Sequence, residues 1–161
     1  MMFTERDIII LRIHQLRSLM CTYNLLCNKS GCSNYYDPEK EFALAKHTVF
    51  FDMLSFLYSI FDPQKKAIRL RRDLFPEALR PDIDGILEEW NKIEPIIRDV
   101  RHKRGFHASK KWSDYEKTST LLKDDLGEAG IDTAFGLINL LYDLANKSIE
   151  AEHKRGQTNF P

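Results

Sequence analysis

The densest group of side chains able to move protons or hold anions is Arg98-Asp-Val-Arg101-His102-Lys103-Arg104-Gly105-Phe106-His107. Cations at the end of a helix have a structural use of their own, because they meet the negative end of the macrodipole and the last unpaired carbonyls. That use does not account for two histidines set among arginines. Neighbouring positive charge lowers a histidine pKa and keeps the imidazole neutral near pH 7. A neutral imidazole beside a guanidinium is a general base beside an anion clamp. No carboxylate pair and no His-x3-His spacing lies next to this cluster, so neither a metal nor another cofactor is expected there.

The run Arg101-His-Lys-Arg-Gly-Phe-His107 resembles the R-x(4–6)-H motif of the HEPN superfamily, helical domains found in toxins and antiviral proteins. In the abortive-infection U branch the pattern is similar to R-(N/D)-K-x-x-A-H, and Arg101, Lys103 and His107 keep those intervals. His102 stands where that branch has Asn or Asp, and Phe106 where it has a small residue. The resemblance implies metal-independent cleavage of RNA by attack of the ribose 2′-oxygen on the adjacent phosphate, leaving a 2′,3′-cyclic phosphate and a 5′-hydroxyl. Arg101 and His107 would be catalytic, with His102 as a second acid or base, while Lys103, Arg104 and Arg98 would hold phosphates. It further implies a homodimer, RNA as the partner and, for the toxin members, a protein antitoxin. Ser109 stands where relatives paired with nucleotidyltransferase antitoxins have tyrosine, so an antitoxin of that modifying kind is not implied. His102 and Phe106 favour the alternative, an inactive helical dimer that binds RNA, nucleotide or a protein through the same basic end. In a third reading the cations only cap a helix in a plain interaction protein.

Residues six apart in an unbroken helix are roughly 240° apart, so Arg101 and His107 would face different ways within one helix. Gly105 permits a break between them. A two-fold dimer would bring the arginine of one subunit to the histidine of the other, as HEPN ribonucleases commonly do.

Four helices must position this cluster. The first is expected from Thr4 to about Asn28, with Thr4 and Asp7 at capping-box spacing and a stripe of Ile9, Ile13, Leu16, Met20, Tyr23 and Cys27. The second begins at Asp37-Pro38 and runs to about Phe61. Phe50, Phe51, Leu54 and Leu57 widen its apolar stripe around the circumference, as expected of a central helix or of one covered by a second subunit. Lys65, Lys66, Arg69, Arg71 and Arg72 crowd the next segment, which reads as a solvated connector or as a phosphate-attracting patch. The third helix is expected from Asp82 or Asp84, kinked or split at Pro95. A long loop over 108–130 carries Trp112 and Tyr115, as core anchors or as base-stacking groups, and Asp132 caps the last helix, whose end frays over 153–161. The expected fold is thus all-α: one domain over 1–161, a four-helix up-and-down bundle of HEPN type with a long loop before the last helix.

Composition narrows the setting. Across 161 residues, 24 Lys and Arg balance 24 Asp and Glu, so a polyanion would have to be met by a local patch. Ten Phe, six Tyr and two Trp argue against disorder. No apolar run is long enough for a membrane span and the N-terminus lacks a signal-peptide pattern. Cys21, Cys27 and Cys32 have no C-x-x-C spacing and read as reduced, buried or half-buried packing residues, which points to the cytoplasm. His14, His47 and His153 have no acidic or cysteine partners in the pattern and are expected to be structural.

Overall fold

The computed structural model describes residues 3–28, 38–64, 66–104 and 127–158; the side chains of 28, 38–44, 46–47, 100–104, 128–129 and 155–158 lie outside the description. Four α-helices carry the fold: α1 (Glu5–Asn28), α2 (Pro38–Phe61), α3 (Arg80–Arg104) and α4 (Gly127–Thr158). Among the described residues there is no strand. Helix α1 starts where its capping box requires. The amide of Asp7 donates to Thr4 Oγ1 (3.2 Å), while the Thr4 amide and hydroxyl donate to Asp7 Oδ2 at 2.9 and 2.7 Å. Ile9, Ile13, Leu16 and Met20 are all buried and Tyr23 is half-buried, but Cys27 is exposed.

Helix α2 has the expected bounds, and its described part leaves no large hydrophobic side chain exposed. Phe50, Met53, Leu54, Leu57, Tyr58, Ile60 and Phe61 are buried within one chain, and Phe51 and Phe56 are half-buried. The apolar excess anticipated as a dimer surface on α2 is therefore covered, within the described residues, by the chain itself. Helices α1 and α3 pack against α2, and the connector is more than a solvated link. It folds back through short 3-10 turns at Arg72–Leu74 and Glu77–Leu79 and buries Leu70, Phe75 and Leu79. The Leu70 amide donates to the Ile60 carbonyl at 2.7 Å, and Arg12 of α1 donates to the Ile68 carbonyl at 2.8 Å.

Helix α3 begins at Arg80, slightly before the expected start, with Pro81 in its first turn, where a missing N–H costs nothing. It runs unbroken through Pro95, contrary to the expected split. Both Pro95 and Asn91 are exposed, so the Asn91 carbonyl that loses its partner lies on the wet side of the helix, where water can satisfy it. Helix α4 starts at Gly127, ahead of Asp132, and Gly127 has φ 59°, a conformation that suits glycine. It continues to Thr158, so 153–158 are helical rather than frayed. The loop expected over 108–130 lies mostly outside the described residues; its last residues belong to α4.

The helices pack in a ring, α1 on α2 and α4, and α3 on α2 and α4. Arg6 near the start of α1 pairs with Glu152 near the end of α4, His14 meets Tyr142 edge-on at 5.4 Å, and Tyr23 lies 5.7 Å from Phe135. Each step forward on α1 is thus a step back on α4, and the two are antiparallel. Lys147 pairs with Asp82 (2.7 Å), which sets the start of α3 against the later part of α4. The buried Ala134, Leu137, Ile138 and Leu141 of α4's earlier part are left for the rest of α3, the same antiparallel sense. With Tyr23 on Phe50, and with α1's Arg12 reaching Ile68 beyond the other end of α2, neighbours alternate in direction all round. The domain is an up-and-down helical bundle.

Candidate functional site

The core face of α3 is drawn by Ile83, Ile86, Trp90, Ile93 and Ile97, which recur every three or four residues and are buried. The helix outlasts this stripe. Its last turn, Arg101 to Arg104, carries the candidate cluster, and Arg101 stands one turn beyond Ile97 in the same register. Continuing the antiparallel match of α3 with α4 sets Arg104 level with the start of α4. The end of the bundle formed by the close of α3 and the opening of α4 therefore bears the backbone of Arg101 to Arg104.

Arg98 is the one candidate whose side chain the structure describes. It is about half exposed, with Nη1 3.4 Å from Glu94 Oε1 one turn earlier. A solvent-screened pair of this kind contributes roughly 0–1 kcal/mol and releases readily to a stronger anion. The helical backbone includes Arg101, His102, Lys103 and Arg104, but their side chains lie outside the description, and His107 lies outside the described residues altogether. Phe106, Ser109, Trp112 and Tyr115 do so too.

Two of the connector's cations, Arg71 and Arg72, are engaged. Arg71 spans Glu5 (2.8 Å) and Asp73 (3.2 Å), and Arg72 pairs with Asp84. Arg69 is half-buried and has no hydrogen-bond or ion-pair partner among the described residues, while Lys65 lies outside them. Among the described residues, a phosphate patch read from charge density alone thus reduces to the exposed Lys66 and the half-buried Arg69. The composition of the segment could not separate Arg69 from its neighbours, because pairing is decided by where Glu5 and Asp84 come to lie.

Cys21 and Cys27 are exposed free thiols, not packing residues; Cys32 lies outside the described residues. Burial pushes the Tyr23 hydroxyl up to about 12, helped by a hydrogen bond with Cys27. Among the described residues no group of three or more His, Cys, Asp or Glu side chains is arranged to hold a metal ion. His14 is packed on Tyr142, and His153 Nδ1 lies 3.2 Å from its own helix's Ile149 carbonyl. Of His47 only the helical backbone is described. No described helix is long and apolar enough to cross a membrane. Comparison with family models, with curated proteins and with solved structures gives no match.

Proposed function

We propose that this chain is a metal-independent endoribonuclease of the HEPN type, acting as a toxin or abortive-infection effector. One coincidence carries the reading: Arg101 and Lys103, which open the Arg101, Lys103 and His107 spacing of the sequence, fall in the last turn of the third helix of an up-and-down four-helix bundle. Neither half would suffice alone, since cations suit any helix C-terminus and bundles serve many functions.

In this mechanism RNA lies across the end of the bundle with a phosphodiester at Arg101. His107 removes the proton of the ribose 2′-hydroxyl, the 2′-oxygen attacks the adjacent phosphorus, and the bond to the 5′-oxygen breaks. That leaving oxygen takes a proton from an acid, the role assigned to His102 or to the second His107 of a dimer. The products are a 2′,3′-cyclic phosphate and a 5′-hydroxyl. Arg101 donates two parallel hydrogen bonds to the phosphoryl oxygens as charge builds on them. Lys103, Arg104 and Arg98 hold the flanking phosphates. The side chains needed for every step are supplied by the protein, so cleavage is expected to continue in EDTA. The test is end-group analysis of RNA incubated with the purified chain in EDTA. Cyclic phosphate ends support the mechanism, whereas 3′-hydroxyl and 5′-phosphate ends would replace it with another.

A further inference from the structure

Beside α3, on the side facing the connector, lies a groove of about 360 Å3. That volume lies within the range of roughly 300–1,000 Å3 typical of small-ligand sites. Its apolar walls are Phe61, Leu70, Leu87 and Trp90, the first and last being stacked rings. Arg69 reaches it from the connector, and Asn91 and Glu94 line it from α3. Of the connector's three arginines, Arg69 is the one with no carboxylate partner among the described residues. Its backbone is nonetheless firmly held. The carbonyl of Ile68 before it accepts from Arg12, and the amide of Leu70 after it donates to the end of α2. A half-buried arginine carried by a pinned segment at the edge of an apolar groove offers a cation for an anion beside a place for a flat ring.

The groove is aligned with the candidate catalytic end. Leu87, Asn91, Glu94 and Arg98 succeed one another at three- and four-residue steps, and the next step is Arg101. Glu94 to Arg101 spans about 10 Å of helix axis. Glu94 is turned toward Arg98, so the stripe passes from a ring-sized apolar groove to an arginine without an unpaired carboxylate between them.

We propose that this groove is a nucleotide subsite: a base rests against the apolar wall beside Trp90, its phosphate is held by Arg69, and the strand continues along α3 past Arg98 to Arg101. Asn91 offers an amide to the base edge, a group that pairs with the exocyclic amine and N7 of adenine. This inference takes its substrate class from the ribonuclease reading, while its location stands on the groove and Arg69.

The probe is adenosine 5′-monophosphate, titrated into the full-length chain and followed by calorimetry and by the Trp90 indole resonance. Arg69→Ala should weaken binding at least about tenfold, as expected for loss of one charge-assisted bidentate contact. Arg69→Lys should fall between, and equal melting temperatures would show that both variants are folded. Adenosine and inorganic phosphate, each supplying half of the ligand, should both bind more weakly than the nucleotide. An Arg69→Ala protein with unchanged affinity, or a ligand that leaves Trp90 undisturbed, overturns the subsite. The Arg101→Ala, His107→Ala protein should bind the nucleotide as the native chain does, which keeps the two proposals separable. Nucleotide binding through Arg69 in a chain that cleaves no RNA removes the ribonuclease and keeps the groove. Cleavage whose KM is indifferent to Arg69→Ala does the opposite.

Discussion

Trp90 of α3 lies flat against Phe61, the last residue of α2, with ring centroids 4.4 Å apart and planes within 8° of parallel. Tyr58, one turn earlier on α2, meets the same indole edge-on at 5.9 Å. Three aromatic rings thus tie α2 to α3 just where the chain leaves α2 for the connector. The same indole forms one wall of the groove that receives Arg69.

Trp90→Ala should therefore destabilise the fold by about 3–5 kcal/mol, the usual loss for a large buried aromatic. Trp90→Phe, which can keep a stacked ring, should lose less. Urea unfolding followed by circular dichroism measures both. A Trp90→Ala loss within about 0.5 kcal/mol, typical of surface sites, would mean that the stack does not hold α2 to α3.

The capping box at Thr4 and Asp7 predicts a pH signature. The hydrogen bonds from Thr4, hydroxyl first and amide second, hold the Asp7 carboxyl below its ordinary value, and Arg6 adds to the effect. A carboxyl whose pKa is depressed by folding contributes stability above its unfolded value, near pH 4, and loses it as pH falls through the folded value. Thr4→Ala should cost about 0.5–2 kcal/mol at pH 7. The stability difference between the native chain and Asp7→Asn should be present at pH 7 and shrink steadily below about pH 4. A difference that does not change with pH would assign the effect to something other than the ionised cap.

Pro95 interrupts the hydrogen-bond ladder of α3 without ending it. Pro95→Ala should restore one intrahelical bond and raise stability by up to about 3 kcal/mol, the propensity gap between these residues. A higher melting temperature is the expected readout. A lower one would show that the proline is needed for the path of α3.

The proposed geometry calls for two copies of the motif, so light scattering at micromolar concentration should give twice the mass of one chain. With the described part of α2 covered inside one protomer, this expectation rests on the Arg101–His107 separation alone. A clean monomer would leave those two residues to converge within a single chain.

The four helices were legible because their apolar steps are long and regular; Ile9, Ile13, Leu16 and Met20 were expected to share a face and do. Cys27 lies on that same face, about five full turns after Ile9, and is nonetheless exposed, because the last turn of α1 has passed beyond the core. Residues 127–131 carry little apolar signal, so the sequence points to Asp132 where α4 in fact starts at Gly127. Leu70, Phe75 and Leu79 were missed for a different reason: single apolar residues in a charged segment have no period to detect. The apolar breadth of α2 was plain in the sequence, but not whether the chain itself or another subunit covers it. At the candidate site, residue types and spacing were visible in Arg101–His107. The distinction of Arg69 from Arg71 and Arg72 was not, because it depends on acidic partners distant in sequence.

The most direct measurement of the central claim is the rate of RNA cleavage in EDTA by the native chain and by Arg101→Ala, His107→Ala and the double variant, all shown to be folded. The ribonuclease account predicts that each single change lowers the rate by about 10²–10⁴-fold while the melting temperature barely moves. Lys103→Ala should instead weaken RNA binding and flatten its salt dependence. Cleavage that continues undiminished in the double variant would contradict the account.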